Sequence, residues 1–182
     1  VLLDTNQLLQ QAKGKTEILE GAAQQIVKLL KRETVIYDVK DGKLEHPLRR
    51  VPQGEEDITI EDEACEEQAA AWALENNRHA GTGTDHFKQA KRQYLAIRVN
   101  STVYGVVGIM IQKQPLDAFE NSVLLSILGE CALALENDKN VREKEEAAIL
   151  AKNEQLRANL LRTISHDLRT PLTSISGNAN NL

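Results

Sequence analysis

From Leu116 to Leu182 the sequence interrupts a helix at only three places, Gly129, Pro171 and Gly177. Leu, Ala and Glu are frequent in that stretch, and these are strong helix formers. Helices in compact domains average roughly 11–12 residues, so one this long runs past any core it starts from. The chain is therefore expected to pair a compact N-terminal part with a projecting helix. Such a helix has to cover its apolar stripe by associating with another copy or another helix.

The compact part reads as α+β. Residues 1–13 carry Leu2, Leu3, Leu8 and Leu9 at helical spacing and form an incoming helix that Gly14 interrupts. A second helix follows over about Thr16 to Lys31, with Ile18, Leu19, Ala22, Ala23, Ile26, Val27 and Leu30 on one side. Thr34 to Val39 is β-branched and enters a hairpin at Asp41-Gly42. Its partner spans Leu44 to Val51, where Pro47 restricts it to a sheet edge. A helix over Glu61 to Asn77 precedes a long loop from Asn76 to Lys91. Strands at Tyr94–Val99 and Val103–Ile111 then meet at a turn around Asn100-Ser101-Thr102. Helices flanking antiparallel strands give one domain over residues 14–138. Residues 139–155 read as a charged connector, and 156–182 as the start of a further helical module.

In that last module Leu161, Leu168, Ile175 and Leu182 recur every seven residues, and Ser165, Leu172 and Ala179 follow the first three by four. This is a helical-bundle seam. His166 points away from it, among Asn159, Thr163, Thr170, Thr173 and Gly177. Ordinary imidazole titrates near ~6.5, so it is mostly neutral at neutral pH and has one basic nitrogen. Asp167 is placed to hold the other ring N–H and to steady charge developing on the ring. Thr170 lies one turn on, where it can hold a water against a phosphorylated ring. Pro171 removes a helix hydrogen bond and should bend the helix locally.

The run His166-Asp167-Leu168-Arg169-Thr170-Pro171-Leu172 resembles the phosphoacceptor box of sensor histidine kinases, the H-D-x-R-[TN]-P-L pattern of their dimerisation and histidine-phosphotransfer helix. The resemblance implies that His166 accepts the γ-phosphoryl of ATP, that Asp167 assists as base, and that Thr170 serves the reverse phosphatase step. The order of elements upstream resembles a GAF domain. More narrowly, Trp72-Ala73-Leu74-Glu75-Asn76-Asn77, Ala80-Gly81-Thr82-Gly83-Thr84-Asp85, Tyr104-Gly105-Val106-Val107-Gly108 and Leu172-Thr173-Ser174-Ile175-Ser176-Gly177 resemble the KdpD family of potassium-responsive sensor kinases. This implies a homodimer through the C-terminal helix and a KdpE-like response regulator as partner. It also implies a place at the cytoplasmic face of a bacterial inner membrane, anchored by segments outside these residues. ATP would be bound by a domain outside this sequence, so the fragment is expected to be inactive alone.

GAF domains often hold small molecules between sheet and loops, and Trp72, His79, Gly81, Gly83, Thr84, Asp85 and His86 are the candidate lining. Trp72 reads first as a core anchor, and the glycines as turn residues. No cofactor or metal site is expected in the fragment: Asp85-His86 is too short for a metal, and Cys65 and Cys131 lack ligand spacing. The acidic run Glu55-Glu56-Asp57 with Glu61, Asp62 and Glu63 reads as a solvated loop and helix start. A net charge of −5 leaves no basic footprint for nucleic acid. No apolar stretch near ~18 residues is apparent, so no membrane span is expected. The connector has a thin seam through Val141, Ala148 and Ile149, suited to a two-stranded signalling coil or to a solvated face. Two rivals to the kinase stay open: a ligand-binding GAF module whose tail only dimerises, and a pseudokinase scaffold.

Overall fold

The computed structural model describes residues 2–56, 58–111 and 114–180, with side chains from Asp4 to Pro171 within those ranges. Leu2, Leu3, Leu172, Thr173, Ser174, Ile175, Ser176, Gly177, Ala179 and Leu182, read above as helix face or seam, and Asp57 of the acidic run, lie outside the described side chains. The chain divides into two units, Val1–Asp138 and Lys139–Leu182.

The first unit is built on a five-stranded antiparallel sheet in the order β2-β1-β5-β4-β3, comprising β1 (Thr34–Lys40), β2 (Lys43–Arg50), β3 (Ala80–Gly81), β4 (Arg92–Val99) and β5 (Thr102–Met110). Asp41 and Gly42 both take positive φ, 52° and 73°, which is the mirror-type turn that matches strand twist in a two-residue hairpin. β2 is indeed an edge. His46 and Pro47 stand together against Tyr37, and the register slips there, so proline's missing N–H breaks no inner ladder. β3 is a short strand inside what the sequence suggests is only loop; it pairs Ala80 with Tyr94. Two residues are too few to leave an alternating signature.

The two faces of the sheet bury different things. On one lie α2 (Lys15–Leu30) and the first part of α4 (Ala118–Asn180), whose Ile18, Ala22, Ile26, Leu124, Ile127 and Leu135 join Ile36, Leu95 and Val107 in the main core. On the other lies α3 (Glu63–Asn76), where Ala69, Ala70 and Ala73 come close over Tyr94, Val35 and Val106. Alanine is used there because the space is taken by Tyr94, the largest fully buried side chain. Asp62 caps α3 by accepting from the Cys65 amide at 3.0 Å.

α1 (Leu2–Gln11) does more than lead in. Leu9 is buried in the main core, and the Thr5 hydroxyl donates to Gln25 Oε1 at 3.1 Å, so α1 lies antiparallel along α2. Gly14, at φ 85°, makes the reversal between them. α4 opens with a capping box: the Glu120 amide donates to Asp117 Oδ1 at 2.7 Å, while Glu120 Oε1 faces the Asp117 amide at 3.4 Å.

One expectation needs correcting. α4 contains an 18-residue window with a mean hydropathy of 1.4, apolar enough by composition for a membrane span. Glu120, Asn121, Ser122, Ser126, Gly129 and Glu130 break the run of apolar residues and hide it from inspection. One side of that segment is core, with Leu124, Ile127, Leu128, Cys131 and Leu135 buried.

Candidate functional site

α4 is held at both ends of its first unit. Arg32, just past α2, donates from Nε to Glu120 Oε2 at 3.1 Å, and from Nη1 to the carbonyls of Met110 and Gln114 at 3.1 and 2.6 Å. At the far end the Gly14 amide donates to Asp138 Oδ1 at 3.1 Å. The last residue of the domain is thus tied to the reversal between α1 and α2.

A charged network that the sequence did not reveal runs through the interior on the α3 side. Glu33 (1% exposed) and Arg92 (6%) form a buried ion pair, with Arg92 Nε donating to Glu33 Oε1 at 2.8 Å. Arg49 Nη2 donates to Glu33 Oε2 at 2.8 Å and to the Ile58 carbonyl at 2.7 Å, tying the loop after β2 to the same carboxylate. Further in, the Tyr94 hydroxyl donates to Glu66 Oε2 at 2.6 Å and lies 3.4 Å from Arg92 Nη1; Glu66 Oε1 accepts from the Lys91 amide at 2.6 Å. Burial alone pushes the Glu33 carboxyl up, but hydrogen bonds from Arg49 and Arg92 outweigh it and hold the group below its ordinary range. Burial, reinforced by Glu66, drives the Tyr94 hydroxyl far upward, so it stays a donor. The only early sign of this network is that Arg92 and Tyr94 alternate on one face of β4.

Four of the candidate pocket residues come together, Trp72 on His86 and His86 in one loop with Gly81 and Thr84, while His79 stands apart. Trp72 packs at the margin of the core beneath α3 and stacks on His86, with centroids 4.0 Å apart and planes at 23°; Arg78 lies 5.9 Å from the indole centroid. Gly81, Thr84 and His86 close a loop on themselves: the Gly81 amide donates to the His86 carbonyl at 2.8 Å, and the Thr84 hydroxyl lies 2.8 Å from both the Gly81 and His86 carbonyls. Gly83 and Asp85 are exposed. His79 lines a separate recess of about 180 Å³ with Arg98, Leu125 and Gly129, and burial pulls its imidazole below the ordinary range. Two other recesses, of about 300 and 410 Å³, lie beside Arg32 and beside His46. None of the three is lined by Trp72, Gly81, Gly83, Thr84 or Asp85. Gly81 itself has a structural demand, since its φ is 100° and an added Cβ would lie 2.0 Å from the Arg92 carbonyl oxygen. Gly81→Ala is therefore expected to cost at least ~2 kcal/mol of stability in denaturant titration. A smaller loss would mean that β3 and its loop yield readily.

The second unit presents His166 on bare helix. Its side chain is 80% exposed and that of Asp167 75%, with Nδ1 and Oδ1 3.7 Å apart, inside ion-pair reach but longer than a hydrogen bond. At about 100° per residue, His166 lies roughly 140° around the helix from Leu161 and 160° from Leu168. Leu150, Leu160 and Ile164, overlooked in the heptad count, are also exposed and widen that apolar stripe. The Thr170 hydroxyl donates to the His166 carbonyl at 3.3 Å and is turned back on its own helix; Thr163 does the same to Asn159 at 2.9 Å. α4 runs on through Pro171. Lacking an N–H, Pro171 leaves the Asp167 carbonyl without its usual helical donor. In the connector Val141 and Ile149 are exposed, with a Lys139–Glu143 pair at 3.9 Å one turn apart.

Comparison with known proteins agrees with both units. Residues 156–182 match the family of the His Kinase A (phospho-acceptor) domain. The chain is 32% identical over 174 residues to a sensor protein KdpD of Clostridium acetobutylicum, covering 94% of this chain and 19% of that protein. It is 33% identical over 150 residues to the sensor protein KdpD of Escherichia coli, covering 81% and 16%. The chain thus spans less than a fifth of those relatives' length. Among solved structures, the GAF domain of the Escherichia coli potassium sensor histidine kinase KdpD superposes with a TM-score of 0.57 at 20% identity, over 79% of this chain and 96% of that one. A methyl-accepting chemotaxis protein fragment gives 0.58 at 8% identity, over 75% and 98%. At such identities the likeness shows the fold, and the fold is that of a GAF domain followed by a long helix.

Proposed function

We propose that this KdpD-like stretch, a GAF domain joined to a His Kinase A helix, is the sensory and phosphoacceptor part of a two-component sensor histidine kinase. The observation that carries this is the exposed imidazole of His166 beside Asp167, on the helix face turned away from the apolar stripe, within the matched phosphoacceptor segment. An ATP-binding domain outside these residues presents the γ-phosphoryl group. The free ring nitrogen attacks, a P–N bond forms, the bond to the bridging oxygen breaks and ADP departs. The other ring nitrogen keeps its proton, and Asp167 offsets the positive charge the ring then carries. A response-regulator aspartate takes the phosphoryl group, with a KdpE-like protein as partner. Thr170 serves hydrolysis once its hydroxyl leaves the His166 carbonyl.

Two chains pair through the apolar stripe of the phosphoacceptor helix, and the connector passes the state of the GAF domain down to it. By analogy with the named relatives the assembled protein works at the cytoplasmic side of a bacterial membrane and answers to potassium. The stretch alone is expected not to label itself. Mixed with the catalytic domain of its own kinase and γ-labelled ATP, it should take up label that is lost in acid and kept in base. Label with the opposite stability would exclude a phosphohistidine. No label at all would favour the GAF module with a merely dimerising tail.

A further inference from the structure

On the α4 side of the sheet, the recess of about 180 Å³ that holds His79 opens between the α3–β3 connection, β4 and α4. Its floor is apolar, made of Leu95, Ile97 and Leu128, all buried in the main core. Its ionisable lining is Arg78, His79 and Arg98, without a carboxylate. The other two recesses mix signs. Glu33, Glu55 and Glu120 accompany Lys31 and Arg32 in one, and Asp38 and Glu45 accompany Lys40 in the other. The chain holds 27 acidic residues against 22 basic ones, yet among the described residues neither Arg78 nor Arg98 has a carboxylate partner. Arg98 spends only its Nε, on the Asn100 carbonyl at 2.6 Å, and Arg78 stands 5.9 Å from the Trp72 centroid.

We propose that this recess binds a small monocarboxylate with a short apolar body, its carboxylate on Arg98 and Arg78 and its hydrocarbon against Leu95, Ile97 and Leu128. A guanidinium fork matches a carboxylate through two parallel hydrogen bonds. A ring N–H of His79 supplies a further donor. Inorganic phosphate suits the recess less well, because its oxygens call for donors on every side and an apolar floor has none. A water takes ~30 Å³ in the liquid, so the space suits about six to eight non-hydrogen atoms. Gly129 keeps the α4 wall open: it lines the recess, and nothing comes within 4 Å of an added Cβ there. Glycine inside a helix weakens it, and room for a ligand gives it a use. The binding goes beyond the phosphoacceptor reading and does not depend on it. Because α4 forms one wall, the bound molecule touches the same helix that carries His166.

Isovalerate is the probe, and isovaleramide, of the same shape without the charge, is its control. In calorimetric titration of the 182-residue chain, isovalerate should bind once per chain with a Kd of about 1 mM or tighter. Isovaleramide should bind about tenfold more weakly or worse. Gly129→Leu fills the recess and should abolish binding, with a thermal midpoint at or above that of the parent. Arg98→Gln, at an exposed position, should weaken binding about tenfold at an unchanged midpoint, and it decides the case should Gly129→Leu fail to fold. Absence of saturable binding by ~10 mM isovalerate overturns the proposal. Equal affinity for the amide does so too, since the crevice would then be indifferent to charge. Binding that survives either substitution at full strength places the molecule elsewhere and overturns it as well.

Discussion

Arg92→Met is expected to destabilise the GAF domain by ~3–5 kcal/mol, because it strands one partner of a buried ion pair. Glu33 is 1% exposed, so water cannot replace the guanidinium. Arg49 donates to the other carboxylate oxygen, Oε2, at 2.8 Å and leaves the Oε1 side to Arg92. Tyr94 keeps its bond to Glu66, which confines the damage to the Glu33 end. The thermal midpoint should fall by roughly 10 °C, given the usual scaling for a domain of this size. Replacing both partners, Glu33→Leu with Arg92→Met, should recover part of the loss, since two apolar groups leave no unpaired charge between them. A single-variant loss under ~1 kcal/mol would show that the pair is solvated after all.

Acid gives an independent check of the same pair. The folded-state Glu33 carboxyl lies below its ordinary value of 4.5. Its contribution is therefore complete above that value and is lost as the pH falls through the folded-state value. In Arg92→Met the two hydrogen bonds and the charge by which Arg92 depresses the group are gone, and burial pulls the other way. Protonation then costs the variant less than the parent, so the stability gap between them should narrow on acidification below 4.5. A gap that widens there would reverse the sign of the argument.

What was legible from the sequence follows the range of the interactions that produce it. The Asp41-Gly42 hairpin, the edge position of Pro47 and the long C-terminal helix are set by neighbours within a few residues, and each was readable. β3 was not, since two residues show no period and its pairing depends on Tyr94, fourteen positions away from Ala80. The Glu33–Arg92 pair joins residues 59 apart. Neither residue is unusual locally, and both would have been counted as surface charge. The arrangement of the pocket candidates was only partly legible, for a related reason. Trp72 and the glycines were grouped by nearness along the chain, yet the fold turns Trp72 onto His86 and gives His79 to another recess.

His166→Gln should reduce phosphoryl uptake to background when the intact kinase, or this stretch with its catalytic domain, is given ATP. Glutamine keeps polarity and helix propensity but has no ring nitrogen to attack phosphorus. The side chain is exposed and holds no packing contact that the change would remove, so folding should be untouched. Neighbouring substitutions divide the roles. Asp167→Asn keeps size and hydrogen bonding but removes the charge, and should slow labelling by about 10²-fold, the lower end for positioned acid–base groups, as suits a carboxylate that is 75% exposed. Thr170→Ala should leave labelling within about twofold and slow loss of the phosphoryl group, if the hydroxyl swings off the His166 carbonyl to hold water. If Thr170→Ala alters neither step, the hydroxyl serves only the helix, as its present bond would have it. Label surviving His166→Gln would move the acceptor elsewhere, and with it the reason for an exposed imidazole opposite the apolar stripe.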